Sequence, residues 1–274
     1  MFRFFTIVLA LGSLTLPAPL RGAQPEHVTV PLSDPSRPAQ LEVALLQGSI
    51  TVVAGKAGEV VLTAVAREGD EEEERGEPDA SHAGMRRLTN NALGFEVEEK
   101  DNRVSVSTDV WHQATDLRIE VPAASSIEVS TVNDGEVAVS GLSGELVLHN
   151  TNGDIRVADV TGPVDATTVN GDVKVVFGRT LASAAMAFST LNGDVDLTLP
   201  ADANVNVVLR SDNGDIFSDF DVQLERKPAQ IESDRKKGKF HVSIARDLAG
   251  KIGAGGPELF LKTFNGDIAL RKAK

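Results

Sequence analysis

Cysteine is absent from the 274-residue chain. Disulfides, zinc–thiolate sites, thiolate chemistry and acylation at a lipobox cysteine are therefore excluded. Tyrosine is absent too, and Trp111 is the one tryptophan. So few rings disfavour a sugar site built by stacking, and an outer-membrane barrel, which needs aromatic girdles at both interfaces. After Leu16 no window is apolar enough to cross a bilayer as a helix, which takes about 20 residues. No long amphipathic helical period is visible; residues 221–237 are the one stretch that allows a short helix. Basic residues are outnumbered, 27 Lys and Arg against 40 Asp and Glu, for a net charge of −13. Such a surface repels nucleic acid and anionic lipid and suits solubility, cations or basic partners.

The N-terminal segment has the plan of a signal peptide. Arg3 gives a short positive region, and Phe4 to Leu16 is apolar except at Thr6, Gly12, Ser13 and Thr15. Pro17 ends the run, and Gly22 and Ala23 offer small residues for cleavage. Residues 1–23 are read as the signal. Its removal takes away Arg3 and Arg21 and no acid, leaving 25 basic against 40 acidic residues, or −15. The mature chain is expected to be periplasmic or extracellular, envelope-associated, with no integral membrane span. Residues 24–40 read as a Pro-rich linker and 41–122 as an N-terminal β region. That region contains an acidic loop at 68–91, which opens with EGDEEEERGEP. Residues 123–274 form a β-repeat region continuous with it.

The repeat is the main signal. Six segments share one pattern: TVNDGEVAV from Thr131, NTNGDIRV from Asn150, TVNGDVKV from Thr168, TLNGDVDL from Thr190, SDNGDIFS from Ser211 and TFNGDIAL from Thr263. Five place Asn-Gly-Asp before Ile or Val: Asn152-Gly153-Asp154, Asn170-Gly171-Asp172, Asn192-Gly193-Asp194, Asn213-Gly214-Asp215 and Asn265-Gly266-Asp267. The first carries Asn133 followed by Asp-Gly. Successive Asn residues from 133 to 213 are spaced 19, 18, 22 and 21 apart, and Asn265 follows after 52. That gap leaves room for a longer excursion or two degenerate turns. Glycine permits positive φ in a tight turn, and Asn before it tolerates the left-handed region. The following residues alternate, so Ile155, Val157, Val173 and Val175 are expected to face inward and Arg156 and Lys174 outward. A weaker turn recurs mid-unit, at Gly141–Gly144 and Thr161–Pro163, giving two or three short strands per unit.

A unit this short cannot bury its own inward face, whereas stacked units can. The expected fold is therefore all-β, a right-handed β-solenoid. Equivalent residues then lie in files about 4.8 Å apart, with an inward Asn file able to form an amide ladder. The alternatives are a β-sandwich of hairpins, since Asn-Gly is also a hairpin signal, and calcium-binding nonapeptide repeats, which carry more glycine at closer spacing.

On these residues the chain resembles the bacterial "putative adhesin" domains of unknown function. The resemblance covers Leu41 to Lys274. It rests on the Asn-Gly-Asp-Ile/Val repeats, on Gly48–Val52, Leu117–Pro122 and Asp196–Pro200, and on Thr263–Ile268 as a last repeat. It implies an exported right-handed β-repeat fold and an adhesion or envelope role, and it brings no catalytic residues. The chain departs from the pattern by its acidic insert, Glu68 to Pro78.

No catalytic, cofactor or metal site is read from the residues. His27, His82, His112, His149 and His241 form no metal-binding spacing. Gly253–Gly256 lacks the Lys-Ser/Thr of a phosphate loop. A polysaccharide-acting β-helix enzyme would need a local carboxylate pair. The turn acids recur in every unit, which points to structure, and each is expected to accept backbone N–H groups of its own turn. The reading is thus a non-enzymatic, adhesin-like binding or structural envelope protein, alternatively an envelope-stress accessory protein. Its envelope partner, protein or glycan, is unnamed by the sequence, as is its oligomeric state.

Overall fold

The structure, a computed structural model, describes residues 25–67, 95–108, 114–133, 135–225, 230–236, 239–245 and 247–274. The expected signal and acidic loop lie outside the described residues, as do His82 and His112.

The described residues contain strands and no helix. Short runs of alternating apolar residues pair into two sheets, of 10 and 11 strands, whose apolar faces meet in one core. Each turn of the chain, or rung, contributes one strand to each sheet. In chain order the rungs are β2 (Gln40–Gln47) with β3 (Ile50–Gly55), β6 (Arg103–Thr108) with β7 (Thr115–Pro122), and β8 (Ser126–Asn133) with β9 (Val137–Ser140). Then come β10 (Leu146–Asn150) with β11 (Ile155–Val160), β12 (Val164–Thr167) with β13 (Val173–Phe177), and β14 (Met186–Asn192) with β15 (Val195–Leu199). The last two are β16 (Val205–Asn213) with β17 (Ile216–Ser218), and β22 (Glu258–Asn265) with β23 (Ile268–Lys272).

Neighbouring rungs pair in parallel, as in Leu146↔Val164 on one sheet and Ile155↔Val173 on the other. Hairpins would pair antiparallel, so the sandwich alternative fails and the fold is a two-faced β-solenoid. Ile155, Val157, Val173 and Val175 point inward and are buried, while Arg156 and Lys174 are exposed. Each buried aliphatic side chain contributes about 1.5–3 kcal/mol. Two rings, Phe177 and Phe188, meet edge to face at 6.3 Å within this column.

Order in space departs from order in sequence at both ends. Rung β2–β3 lies between β6–β7 and β8–β9, and rung β22–β23 lies between β14–β15 and β16–β17. The 52-residue gap before Asn265 is therefore an excursion from which the chain returns to a place inside the stack. Antiparallel strands flank the ends. At one end β4 (Glu59–Ala66) lies on β7, β1 (Glu26–Pro31) on β4 and β5 (Phe95–Lys100) on β6. At the other, β21 (Leu248–Ile252) lies on β16 and β18 (Gln223–Glu225) on β21.

Two expectations are corrected. The lead-in 24–40 is not wholly a linker, because the alternation of Val28 and Val30 lets Glu26–Pro31 pair with β4 and pack on the core. Residues 221–237 hold no helix among those described: β18 and the strand β19 (Gln230–Lys236), paired antiparallel with β20 (Lys239–Ala245), occupy it.

Candidate functional site

The turn joining the two strands of a rung exposes four positions between inward-facing neighbours. In Thr168–Val173, Thr168 and Val173 are buried, and Val169, Asn170 and Asp172 are exposed around Gly171. Stacking converts the turn into parallel files along one edge of the solenoid.

The Asn file is an unbroken amide ladder. The Nδ2 of Asn152 donates to Oδ1 of Asn133 at 2.9 Å, Asn170 to Asn152 at 2.8 Å and Asn192 to Asn170 at 2.7 Å. Asn265 then donates to Asn192 at 2.7 Å, and Asn213 to Asn265 at 3.0 Å. The ladder faces outward and is exposed, not inward as expected. The inward position at the turn belongs to the residue two before each Asn. Thr131, Thr168, Thr190 and Thr263 each donate a hydroxyl hydrogen bond to the glycine carbonyl of the adjacent rung, at 2.8–3.2 Å. Ser211 and the Asn150 amide do the same on their rungs. Sequence reasoning missed this file, although its signal, Thr, Ser or Asn at a fixed offset, stands in all six segments.

The glycines are fixed by close approach as much as by turn geometry. Gly153, Gly171, Gly193 and Gly266 have φ of 148–154°, whereas Gly214 is not at positive φ, so the expectation of positive φ in these turns holds for four of the five glycines. Common to all five is crowding: a Cβ on any of them would lie 2.0–2.3 Å from the carbonyl oxygen of the adjacent rung's glycine. Only a hydrogen fits.

The Asp file is tied the same way. The N–H of Asp172 donates to Oδ1 of Asp154 at 2.9 Å and that of Asp194 to Asp172 at 2.8 Å. The N–H of Asp267 donates to Asp194 at 2.7 Å and that of Asp215 to Asp267 at 2.8 Å. The carboxylates of Asp154, Asp172, Asp194 and Asp267 thus cap the next rung, not their own turn, because a side chain standing along the stack axis meets the neighbour's N–H first. Burial pushes the Asp154 carboxyl up, but the Asp172 N–H and Arg156 outweigh it and hold the pKa below the ordinary value.

Two features break the regularity. The first is charge compensation. At one end of the file Arg67 pairs with Asp116, and Arg156 pairs with Glu136 at 3.3 Å and Asp154 at 2.8 Å. Toward the other end no described cation lies within salt-bridge distance of Asp172, Asp194, Asp267 or Asp215. Like charges about 4.8 Å apart repel by roughly 1 kcal/mol even at the dielectric of water. The second is the file before the Asn residues. Val169, Leu191 and Phe264 occupy successive rungs and are 37%, 47% and 44% exposed. The acids outside any salt bridge and the apolar stripe share these rungs, and of these acids Asp172 still feels the charge of Arg156.

No group of three or more His, Asp or Glu side chains among the described residues is disposed to hold a metal ion. His27 bonds Thr63 at 3.0 Å on β1, and His149 is an exposed residue of β10. Gly253–Gly256 forms the turn from β21 to β22, where the Ala254 N–H donates to Asn204 at 2.7 Å.

The family model described as Toastrack DUF4097 matches residues 28–271. The chain belongs to the Toastrack DUF4097 family. Among curated proteins none matches. Two solved structures are similar to this Toastrack chain over 91% of its length. One is a "putative cell adhesion protein" from Clostridium sporogenes, with 10% identity, all 100% of that chain covered and a TM-score of 0.43. The other is a "putative adhesin" from Bacteroides fragilis, with 12% identity, 97% of that chain covered and a TM-score of 0.43. In the Toastrack chain Asn133, Asn152, Asn170, Asn192, Asn265 and Asn213 are joined rung to rung along one edge.

Proposed function

We propose that the mature chain is an exported, non-enzymatic binding module of the cell envelope. Its recognition surface is the edge patch of Val169, Leu191 and Phe264 beside Asp172, Asp194 and Asp267. The observation that carries this reading is the coincidence, on the same rungs, of an exposed apolar stripe and carboxylates that form no salt bridge with a described cation, Asp172 alone feeling the charge of Arg156. Charge complementarity selects a basic protein surface that also offers apolar side chains. The Asn ladder of six rungs spans about 24 Å at the strand spacing, an area suited to a small, transient interface. Non-enzymatic use is supported by the carboxylates themselves: each lies in a repeated hydrogen bond to the next rung instead of forming a local pair.

The test has two arms. Fractionation of the native host should place the protein outside the cytoplasm with a trimmed N-terminus; intact Met1 on a cytoplasmic protein refutes export. A photo-crosslinking residue at Leu191 should capture a basic exported protein, and Phe264→Glu should abolish the adduct. Equal capture from Asp165, an exposed β12 residue away from the edge, would refute the patch. No adduct from either position would favour a passive structural role.

A further inference from the structure

The rung latest in sequence is held between two others and fastened by one loop. Strand β22 pairs in parallel with β14 from Met186↔Leu259 to Asn192↔Asn265, and with β16 from Asn206↔Glu258 to Asn213↔Asn265. Strand β23 pairs with β15 and β17 in the same way. The inward side chains Leu259, Leu261, Ile268 and Leu270 are at most 1% exposed.

The contacts that seat this rung are those used by every rung beside it. Asn265 both donates to Asn192 and accepts from Asn213, and Asp267 relays the N–H bond from Asp194 to Asp215. Thr263 donates to the Gly193 carbonyl, and Ser211 to the Gly266 carbonyl. Recognition therefore depends on the Thr-x-Asn-Gly-Asp-Ile pattern and its apolar alternation, not on where the segment lies in the sequence. The covalent link back to the preceding strand is the loop from Gly253 to Pro257, which has two glycines at positive φ.

We infer that the space between β14–β15 and β16–β17 is a segment-binding slot, filled by residues 258–272 from the same chain or, reciprocally, from a second copy. Exchange leaves every rung contact unchanged, so effective concentration and loop strain alone decide which copy fills the slot. The loop must arch over β16, because β21 lies on one side of it and β22 on the other. That is two strand spacings, about 9.6 Å. The five-residue loop reaches this with slack. With two residues left, the fully extended reach from Ile252 to Glu258 is about 10 Å, which leaves nothing for the arch. Phe264 and Asp267 ride on this rung, so in an exchanged dimer each edge patch is built from both copies.

The test deletes residues 254–256 in the mature full-length chain and measures mass by light scattering after size exclusion. The expected result is a doubled mass with β circular dichroism retained; a folded monomer overturns the inference. Because the deletion could prevent folding, a second measurement uses the full chain with a protease site placed at Ala254. After cleavage of the folded protein, an isotope-labelled synthetic peptide of residues 256–274 is added in excess under mild denaturant, then the denaturant is removed. The expected result is a nicked protein that stays associated and takes up the labelled peptide, read as a mass shift. Release of the segment without uptake, or retention without exchange, overturns the inference.

Discussion

Gly171→Ala isolates the effect of rung contact from the effect of the core. The new methyl group would lie 2.3 Å from the Gly153 carbonyl oxygen and 2.5 Å from its carbon. Both are backbone atoms, so relief requires the two turns to part, by about 0.7 Å to reach even a 3.0 Å contact. Several bonds join these turns. The Gly153 N–H donates to Asn170 O at 2.8 Å, Asn170 N–H to Thr151 O at 2.9 Å and Ile155 N–H to Asp172 O at 2.8 Å. Asp172 N–H and the Thr168 hydroxyl add two more at 2.9 Å each. Opened by that much, they pass beyond ordinary hydrogen-bond length. Losing two or three at about 1 kcal/mol each, with residual strain, gives a destabilisation of about 2–4 kcal/mol. For a chain of this size that lowers Tm by roughly 4–16 °C.

The control is Gly178→Ala. There the added carbon meets Thr161 Cγ2 at 3.4 Å and Val160 O at 3.5 Å, which is ordinary contact, and the change should stay within about 0.5 kcal/mol. Gly214→Ala is graded between them: its Cβ would be 2.0 Å from Gly266 O, but β17 is the outermost strand of its sheet and can move away. Thermal melting ranks the three variants, and hydrogen exchange should localise the Gly171→Ala loss to amides of residues 150–173. A Tm for Gly171→Ala within about 1 °C of wild type, or equal to that of Gly178→Ala, would refute the close-approach argument.

Three further outcomes follow from the same edge. Thr190→Val removes a buried donor and leaves the Gly171 carbonyl unpaired, so it should cost about 1–3 kcal/mol in urea unfolding; Asn192→Ala, whose exposed partners can turn to water, should cost at most about 1 kcal/mol. If the order is reversed, the Thr file is not the anchor. Millimolar calcium or a chelator should leave Tm unchanged within about 2 °C, because the carboxylates of Asp154, Asp172, Asp194 and Asp267 each accept a backbone N–H and six to eight oxygens are not gathered; a large rise abolished by Asp172→Ala would revive a cation site. The Asp154 pKa is depressed on folding, so its contribution is present above the ordinary aspartate value of about 3.9 and is lost as pH falls through the lower folded value. Melting curves from pH 5 to 2 should show Asp154→Asn flattening part of the acid loss, and an unchanged acid profile would contradict it.

The stack was readable because its signals are local and repeated. Five copies of Asn-Gly-Asp before Ile or Val mark the turn, and the alternation after each marks which residues reach the core. The order of rungs was not readable. Asn192, Asn213 and Asn265 carry the same motif, and no local term distinguishes a neighbour in sequence from a neighbour in space. The antiparallel lap of β21 on β16 sends the chain back past a rung already made, and this rests on contacts between residues about 45 apart, as in Val205↔Ile252. Likewise Glu26–Pro31 is too Pro-flanked and polar to declare itself a strand until β4 offers it a partner.

At the edge, composition showed which residues recur but not which way they point. Asn and Thr lie two positions apart and would share one face in a regular strand. The tight turn breaks that rule between them, so Thr caps inside the stack while Asn pairs outside. The same break places Val169, Leu191 and Phe264 in solvent although each is flanked by residues that alternate correctly. A hydrophobic residue at a position where Thr151 and Asp212 are equally accommodated is not required by the stack. What the stack does not require, on three successive rungs beside carboxylates that form no salt bridge, is what a partner can select. The repeat explains the ladder, and the departures from the repeat locate the binding surface we propose.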